Sequence, residues 1–262
     1  MGKKRILISG LPGNMATNVA KLIMEQSDKY ELLDIAFTGE DVQDKSISIL
    51  GREIKLIRPG ERKNYLDSLK GVFAIDYSTP SSYVDNCMFF IRHNMPFVIG
   101  TTGVTKEEIE MIILEVKKSD ISAVIDQNMS VELVLISSAL EYLSETFPNV
   151  LTGHSGYGFE SHQLGKKDKI SGTLRKWGAF IEGLGVNFYM AEGDRTSTYG
   201  HAYHQLNIVN DKGNVRLGIK TEVEGRDTYA SGTLVALDYL VDMMGKGNIR
   251  RVYSMTDVLK GK

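Results

Sequence analysis

Through the first half of the chain, short apolar runs alternate with stretches of helical spacing. Residues 5–9, 32–38, 54–57, 72–76, 97–99 and 123–125 are brief apolar runs closed by polar residues or glycine, and each predicts a strand. Between them, residues 15–26, 82–93 and 106–118 repeat their apolar positions with a helical period. Thr105 followed by Glu108 forms a capping box at the start of the third helix. Strands alternating with helices predict an α/β fold with a parallel sheet covered on both faces.

From about Ser130 the texture changes. A long apolar segment, 131–147, reads as a helix, and a second helix is expected over 174–184. Residues 153–161, 204–209 and 215–221 alternate as strands of a second, more antiparallel sheet, and 231–244 returns to a strong helix. The expectation is a nucleotide-type domain of residues 1–129 and 226–262, with a second domain, 130–225, inserted before its C-terminal helix.

The chain has 262 residues, 42% hydrophobic and 24% charged, with a net charge of −2. That balance gives no general attraction to nucleic acid or to an acidic membrane surface, so a bound anion needs a local basic cluster. Cys87 is the sole cysteine, which excludes an intrachain disulfide and a multi-cysteine zinc site, and its apolar surroundings mark it as core filler. The apolar run after MGKKR is too short for a signal peptide, Ile6 stands where a myristoylation signal needs Ser or Thr, and no stretch reaches transmembrane length. A cytoplasmic protein is expected.

The first candidate chemistry is the turn after strand one, Gly10, Leu11, Pro12, Gly13, Asn14, Met15 and Ala16. Glycines and a small residue between strand and helix let backbone amides approach a pyrophosphate at the positive helix end, in the spacing G-x-x-G-x-x-G/A. Three later strand ends add Asp76-Tyr-Ser-Thr-Pro80, then Gly100, Thr101, Thr102 and Gly103, then Asp126, Gln127, Asn128 and Met129. All are expected at the carboxyl edge of the sheet, where such folds bind ligands. Strand two ends Ala36-Phe37-Thr38-Gly39 without an acid to hold the adenosine ribose. Thr38 leaves room for a phosphate there, so NADPH is the favoured cofactor and NADH the alternative.

The second is Glu160 to Thr173, ESHQLGKKDKISGT, with almost nothing apolar. His162 and Lys166 are expected on a strand-ending loop. Ser171 is a natural helix cap, and the amides of Gly172 and Thr173 would form an anion turn. Two readings suit these residues: acid catalysis on a small anionic substrate, or a solvated basic loop before an ordinary cap. His93, His154, His162, His201 and His204 show no acidic partner at ligand spacing, so no metal is expected.

Glu160-Ser-His162-Gln-x-x-Lys166-x-Asp168-x-x-Ser171-Gly172-Thr173 closely resembles the signature of the 4-hydroxy-tetrahydrodipicolinate reductases, also called dihydrodipicolinate reductases, of lysine biosynthesis. Gln163, where many bacterial members carry a second histidine, resembles the plant-type branch. The resemblance runs the length of the chain, through Gly200-His-Ala-Tyr-His204 to Tyr253-Ser-Met-Thr-Asp-Val-Leu259. It implies an α/β fold in which a Rossmann-type parallel-sheet cofactor domain carries an inserted α/β domain for substrate and oligomerisation, with NAD(P)H-dependent reduction of a small cyclic dicarboxylate by a homotetramer joined through that second domain. In that scheme His162 is the catalytic acid and Lys166 the proton donor. Gln163, Ser171, Gly172 and Thr173 contact substrate, with Arg226 adding to the cationic field. The three loops at the sheet edge hold the dinucleotide. Strand two lacks the Glu-Arg pair of some bacterial members, so cofactor preference does not carry over. Two other functions suit the same scaffold: a dehydrogenase for another imine or semialdehyde, and a nucleotide-binding sensor without turnover.

Overall fold

The computed structural model describes residues 2–163, 169–191, 193–197 and 202–261, with the side chains of Gln163 and 195–197 left aside. It divides into two compact units, Met1–Val131 with Tyr229–Lys262, and Glu132–Thr228.

The first unit opens with β1 (Lys4–Ser9), α1 (Asn14–Glu25), β2 (Tyr30–Leu32) and β3 (Ile35–Phe37). A hairpin of β4 (Ser46–Ile49) and β5 (Arg52–Ile57) follows, then a 3₁₀ segment, Pro59–Leu69. β6 (Val72–Asp76), α2 (Tyr83–Arg92), β7 (Phe97–Ile99), α3 (Lys106–Lys117) and β8 (Ala123–Ile125) continue the alternation. The second unit holds most of α4 (Val131–Thr146), then β9 (Ser155–Gln163), α5 (Gly172–Gly183), β10 (Asn187–Met190), β11 (Asp194–Ser197), β12 (Ala202–Val209) and β13 (Arg216–Val223). The chain returns through α6 (Asp227–Gly245) to β14 (Val252–Tyr253) and α7 (Met255–Lys260).

The first sheet runs β14-β8-β7-β6-β1-β3-β5-β4, with β2 also paired to β1. Every pairing is parallel except β4 with β5. The strand expected over 32–38 is two pieces, because the chain changes partner. Tyr30–Leu32 pairs with β1, and Ile35–Phe37 lies between β1 and β5. The β4 strand was not expected, since its S-I-S-I alternation is too short to stand out from a loop. Behind the sheet, Phe37, Phe90 and Phe97 are fully buried, with the Phe90 ring 6.4 Å from Phe37 and 5.6 Å from Phe97. Each contributes about 1.5–3 kcal/mol of burial. Cys87 lies in this cluster, and burial pushes its thiol well above the ordinary range. Thr105 and Glu108 form the reciprocal capping box of α3.

The second sheet runs β10-β9-β12-β13, with β11 also on β9. It is mixed: β9, β12 and β13 are antiparallel, whereas β10 and β11 lie parallel to β9. Its inner face is covered by α5, whose buried Leu174, Trp177 and Ile181 face that way. A Cβ on Gly158 would meet Leu174 at 2.8 Å and Phe188 at 3.0 Å, so the absence of a side chain lets the helix close on the sheet. Among the described residues, no helix is long and apolar enough to cross a membrane.

Candidate active site

The cofactor-type loops of the first unit are joined at the carboxyl ends of β1, β3, β6, β7 and β8. Gly10 turns the chain at φ +106°, and a Cβ there would lie 2.5 Å from the Tyr77 carbonyl oxygen. Its amide donates to the Phe37 carbonyl at 2.9 Å. The Leu11 side chain is buried, whereas Pro12, Gly13 and Asn14 are exposed and Met15 is half-buried. Gly13 caps α1 without a side chain, and the first turn holds no acid, so the helix end keeps its positive potential for a ligand.

Asp76 organises the neighbouring loops. It is fully buried and accepts from the Ser78 amide at 2.9 Å, the Ser78 hydroxyl at 2.7 Å, the Thr101 hydroxyl at 2.9 Å and the Asn86 amide at 2.8 Å. Gly100 lies against the Tyr77 ring, where a Cβ would approach to 2.5 Å, and Thr102 is exposed beyond it. Asp126 accepts from the Asn128 amide and from the Met255 amide, each at 3.0 Å, and so ties its loop to α7. Gln127 donates to the Val104 carbonyl at 3.3 Å, and Met129 is buried.

Thr38 differs from expectation. It is buried, and its hydroxyl donates to the Leu11 carbonyl at 2.6 Å. A hydroxyl committed inward has no proton to offer a phosphate. It fastens strand to loop instead.

In the second unit the polar stretch surrounds a buried carboxylate. His162 lies on β9 rather than on a loop, paired with Ala202 of β12. Glu160 and His162, two residues apart, share the inner face, and His204 stands opposite Glu160 in register. Glu160 is fully buried and accepts from the Ser171 amide at 2.8 Å and the Ser171 hydroxyl at 2.5 Å. Ser171 in turn accepts from the Leu174 amide at 3.1 Å, the cap expected for α5. The amides of Gly172 and Thr173 are the first of the helix and lie beyond that cap, with Gly172 exposed and Thr173 half-buried.

Both histidines approach the same carboxylate. Glu160 Oε2 is 3.3 Å from His162 Nε2 and 3.7 Å from His204 Nε2, and the two rings meet edge to face at 5.1 Å. His162 Nε2 is sealed from solvent without a hydrogen bond that meets geometric criteria, so the approach to Glu160 is a close contact of charge rather than an aligned bond. The ligand atoms of Glu160, His162 and His204 lie within 4.8 Å of one another and are the described residues able to converge on a cation. This corrects the expectation that the histidines have no acidic partner. The spacing argument failed because β12 brings His204 to Glu160 from 44 positions along the chain. Both Glu160 oxygens already serve Ser171, so the carboxylate anchors the residue that caps α5. Trp177 is core, its Nε1 donating to Ser137 at 2.7 Å.

Arg226 is half-buried just before α6. Lys166 and Asp168 lie outside the described residues, as do Lys167 and His201, and so does the side chain of Gln163. His204 is the strand-borne packing residue that its sequence context suggests, whereas its meeting with Glu160 and the roles of Glu160 and Asp76 were not anticipated. The one available signal was Glu160 two residues before His162, a spacing that puts both on one face of a strand.

The description "Dihydrodipicolinate reductase, N-terminus" belongs to the family whose profile matches residues 4–129. Over 97% of its length the chain is 28% identical to a probable 4-hydroxy-tetrahydrodipicolinate reductase 2, chloroplastic, of Oryza sativa subsp. japonica, covering 82% of that protein. It is 29% identical over the same share to 4-hydroxy-tetrahydrodipicolinate reductase 1, chloroplastic, of Arabidopsis thaliana, covering 77% of it. In fold it resembles a dipicolinate-bound dihydrodipicolinate reductase from Paenisporosarcina sp. TG-14, with a TM-score of 0.70 at 16% identity, over 97% of this chain and 98% of that one. Residues 4–129 thus match the dihydrodipicolinate reductase N-terminal family, and nearly the whole chain is similar to proteins named 4-hydroxy-tetrahydrodipicolinate reductase.

Proposed function

We propose that the protein is a 4-hydroxy-tetrahydrodipicolinate reductase, an NAD(P)H-dependent oxidoreductase of the diaminopimelate and lysine pathway. It reduces 4-hydroxy-tetrahydrodipicolinate, by way of dihydrodipicolinate, to tetrahydrodipicolinate. The observation that carries this reading is the buried Glu160–Ser171 anchor, which sets an anion turn and an imidazole side by side on a chain whose relatives bear that name.

The first unit fits a dinucleotide. Its glycine turn leads into a helix with no acid in the first turn, and a guanidinium nitrogen of Arg62 is buried there without a partner. The loops from Gly10 to Met15, Gly100 to Thr102 and Asp126 to Met129 would hold it, and once bound the reduced nicotinamide supplies a hydride. In the second unit the amides of Gly172 and Thr173 receive a substrate carboxylate at the positive end of α5. The anchor by Glu160 fixes where those amides point. Hydride addition to the conjugated ring pushes electron density toward the ring nitrogen, and a proton is then needed. His162 and Lys166 are the groups assigned to stabilise that charge and deliver the proton. Gln163 and Arg226 complete the substrate contacts. NADPH is the preferred donor in this reading, and the working form is a homotetramer.

The test is oxidation of NADPH and of NADH, each followed at the nicotinamide absorbance, with pyruvate, aspartate semialdehyde and the preceding synthase generating the unstable substrate in place. Substrate-dependent oxidation, faster with NADPH, is expected. Lys166→Ala should cut turnover by about 100-fold or more, the usual scale of a lost acid catalyst. Wild-type protein that binds NADPH without oxidising it would refute the reading.

A further inference from the structure

Arg62, in the 3₁₀ segment after β5, is an unusual cation. Only 5% of its surface is exposed. Its guanidinium carbon lies 4.3 Å over the Phe37 ring and 5.5 Å from the Phe89 ring. Its Nε is buried without a hydrogen-bond partner, and among the described residues no carboxylate pairs with it. The acids whose charge reaches it are Asp76, Asp85 and Glu40. Asp76 is saturated by Ser78, Asn86 and Thr101, and Glu40 is exposed. Desolvation outweighs those acids and lowers the guanidinium below its usual range. A largely buried guanidinium without an anion is costly, and an incoming anion would offset that cost.

The ring beneath the guanidinium identifies the ligand. Phe37 ends β3, pairs with Ser9 of β1, and its carbonyl accepts the Gly10 amide. Arg62 therefore lies at the end of the second strand beside the glycine turn, where a Rossmann-type sheet meets the adenosine ribose. That strand end carries no arginine of its own, and Thr38 has turned inward. We propose that Arg62, reaching Phe37 from a different element, binds the adenosine 2′-phosphate of NADPH and sets the cofactor preference. The flat guanidinium stacks on Phe37, and its terminal nitrogens, which are not among the sealed atoms, offer the phosphate paired hydrogen bonds. This rests on the cofactor half of the proposed function.

The experiment is calorimetric binding of 2′,5′-ADP and of 5′-ADP to the wild-type protein, Arg62→Met and Arg62→Lys, without turnover. The wild type should favour 2′,5′-ADP by about ten- to a hundredfold, the scale of charge-assisted hydrogen bonds. Arg62→Met should erase that margin while 5′-ADP binding changes less than about twofold. Arg62→Lys, which keeps the charge but not the fork, should retain part of the margin and serves if the methionine variant does not fold. A margin that survives both substitutions overturns the proposal and leaves Arg62 as packing. Equal loss of both ligands also overturns it, since that marks adenine stacking. A wild type that binds neither ligand refutes the cofactor reading itself, and one that binds both equally refutes the assignment of Arg62 alone.

Discussion

Glu160 concentrates the chemistry of the second unit in one side chain. Its two oxygens hold the amide and hydroxyl of Ser171, and it faces His162 across 3.3 Å. Glu160→Gln keeps the size but presents an amide donor to a group that also donates, and it removes the charge. The expected loss is about 1.5–3 kcal/mol of stability, the range for hydrogen bonds to a charged group. The Michaelis constant for substrate should rise while NADPH affinity stays. Urea unfolding and steady-state kinetics on the variant check both, and an unmoved midpoint with an unmoved constant would reduce Glu160 to a bystander. The sequence displayed Glu160, His162 and Ser171 within twelve residues, but not which of them touch.

At the level of elements, the two proposed anion sites share one device: each is a helix N-terminus, whose first amides have no partner within the helix. At α1 the turn depends on Gly10, where φ is +106° and an added Cβ would press on the Tyr77 carbonyl. That oxygen is backbone, so no side-chain rotation relieves it. Gly10→Ala should therefore destabilise by more than about 1 kcal/mol, the usual cost of alanine at positive φ, and should abolish NADPH binding. Thermal unfolding with and without NADPH measures both effects; a full ligand-induced shift in the variant would show that the turn tolerates a side chain. At α5, Ser171 does the corresponding work through its hydroxyl and Glu160.

On the scale of the whole molecule, the outer face of the second sheet carries exposed aromatic side chains. Tyr157 and Phe159 of β9 and Tyr189 of β10 are exposed at 54%, 38% and 62%, and register places all three on the side away from α5. Beside them Tyr203 donates to Gln205 and Gln205 to Asn207, a polar row along β12. If the proposed homotetramer uses this face, light scattering should give four chain masses for the wild type. Tyr157→Asp with Tyr189→Asp should give a smaller species with second-unit folding intact by circular dichroism. A wild type that runs as a monomer at micromolar concentration would rule the assembly out.

Apolar periodicity by itself determined the parallel α/β half, because strands buried on both faces read as continuous apolar runs, as at Val72–Asp76, Phe97–Ile99 and Ala123–Ile125. It also determined the caps at Thr105 and Ser171, whose partners lie three residues away. What only the tertiary structure decided lies across strands and between distant segments. His162 is on a strand because Glu160 and His162 are polar groups turned inward, which breaks the apolar alternation that marks one. His204 meets Glu160 through sheet register, and Arg62 meets Phe37 through packing 25 residues apart. Local pattern records which backbone a segment adopts; long-range contacts are set by which surfaces remain to be buried once those segments exist, and no spacing along the chain encodes that.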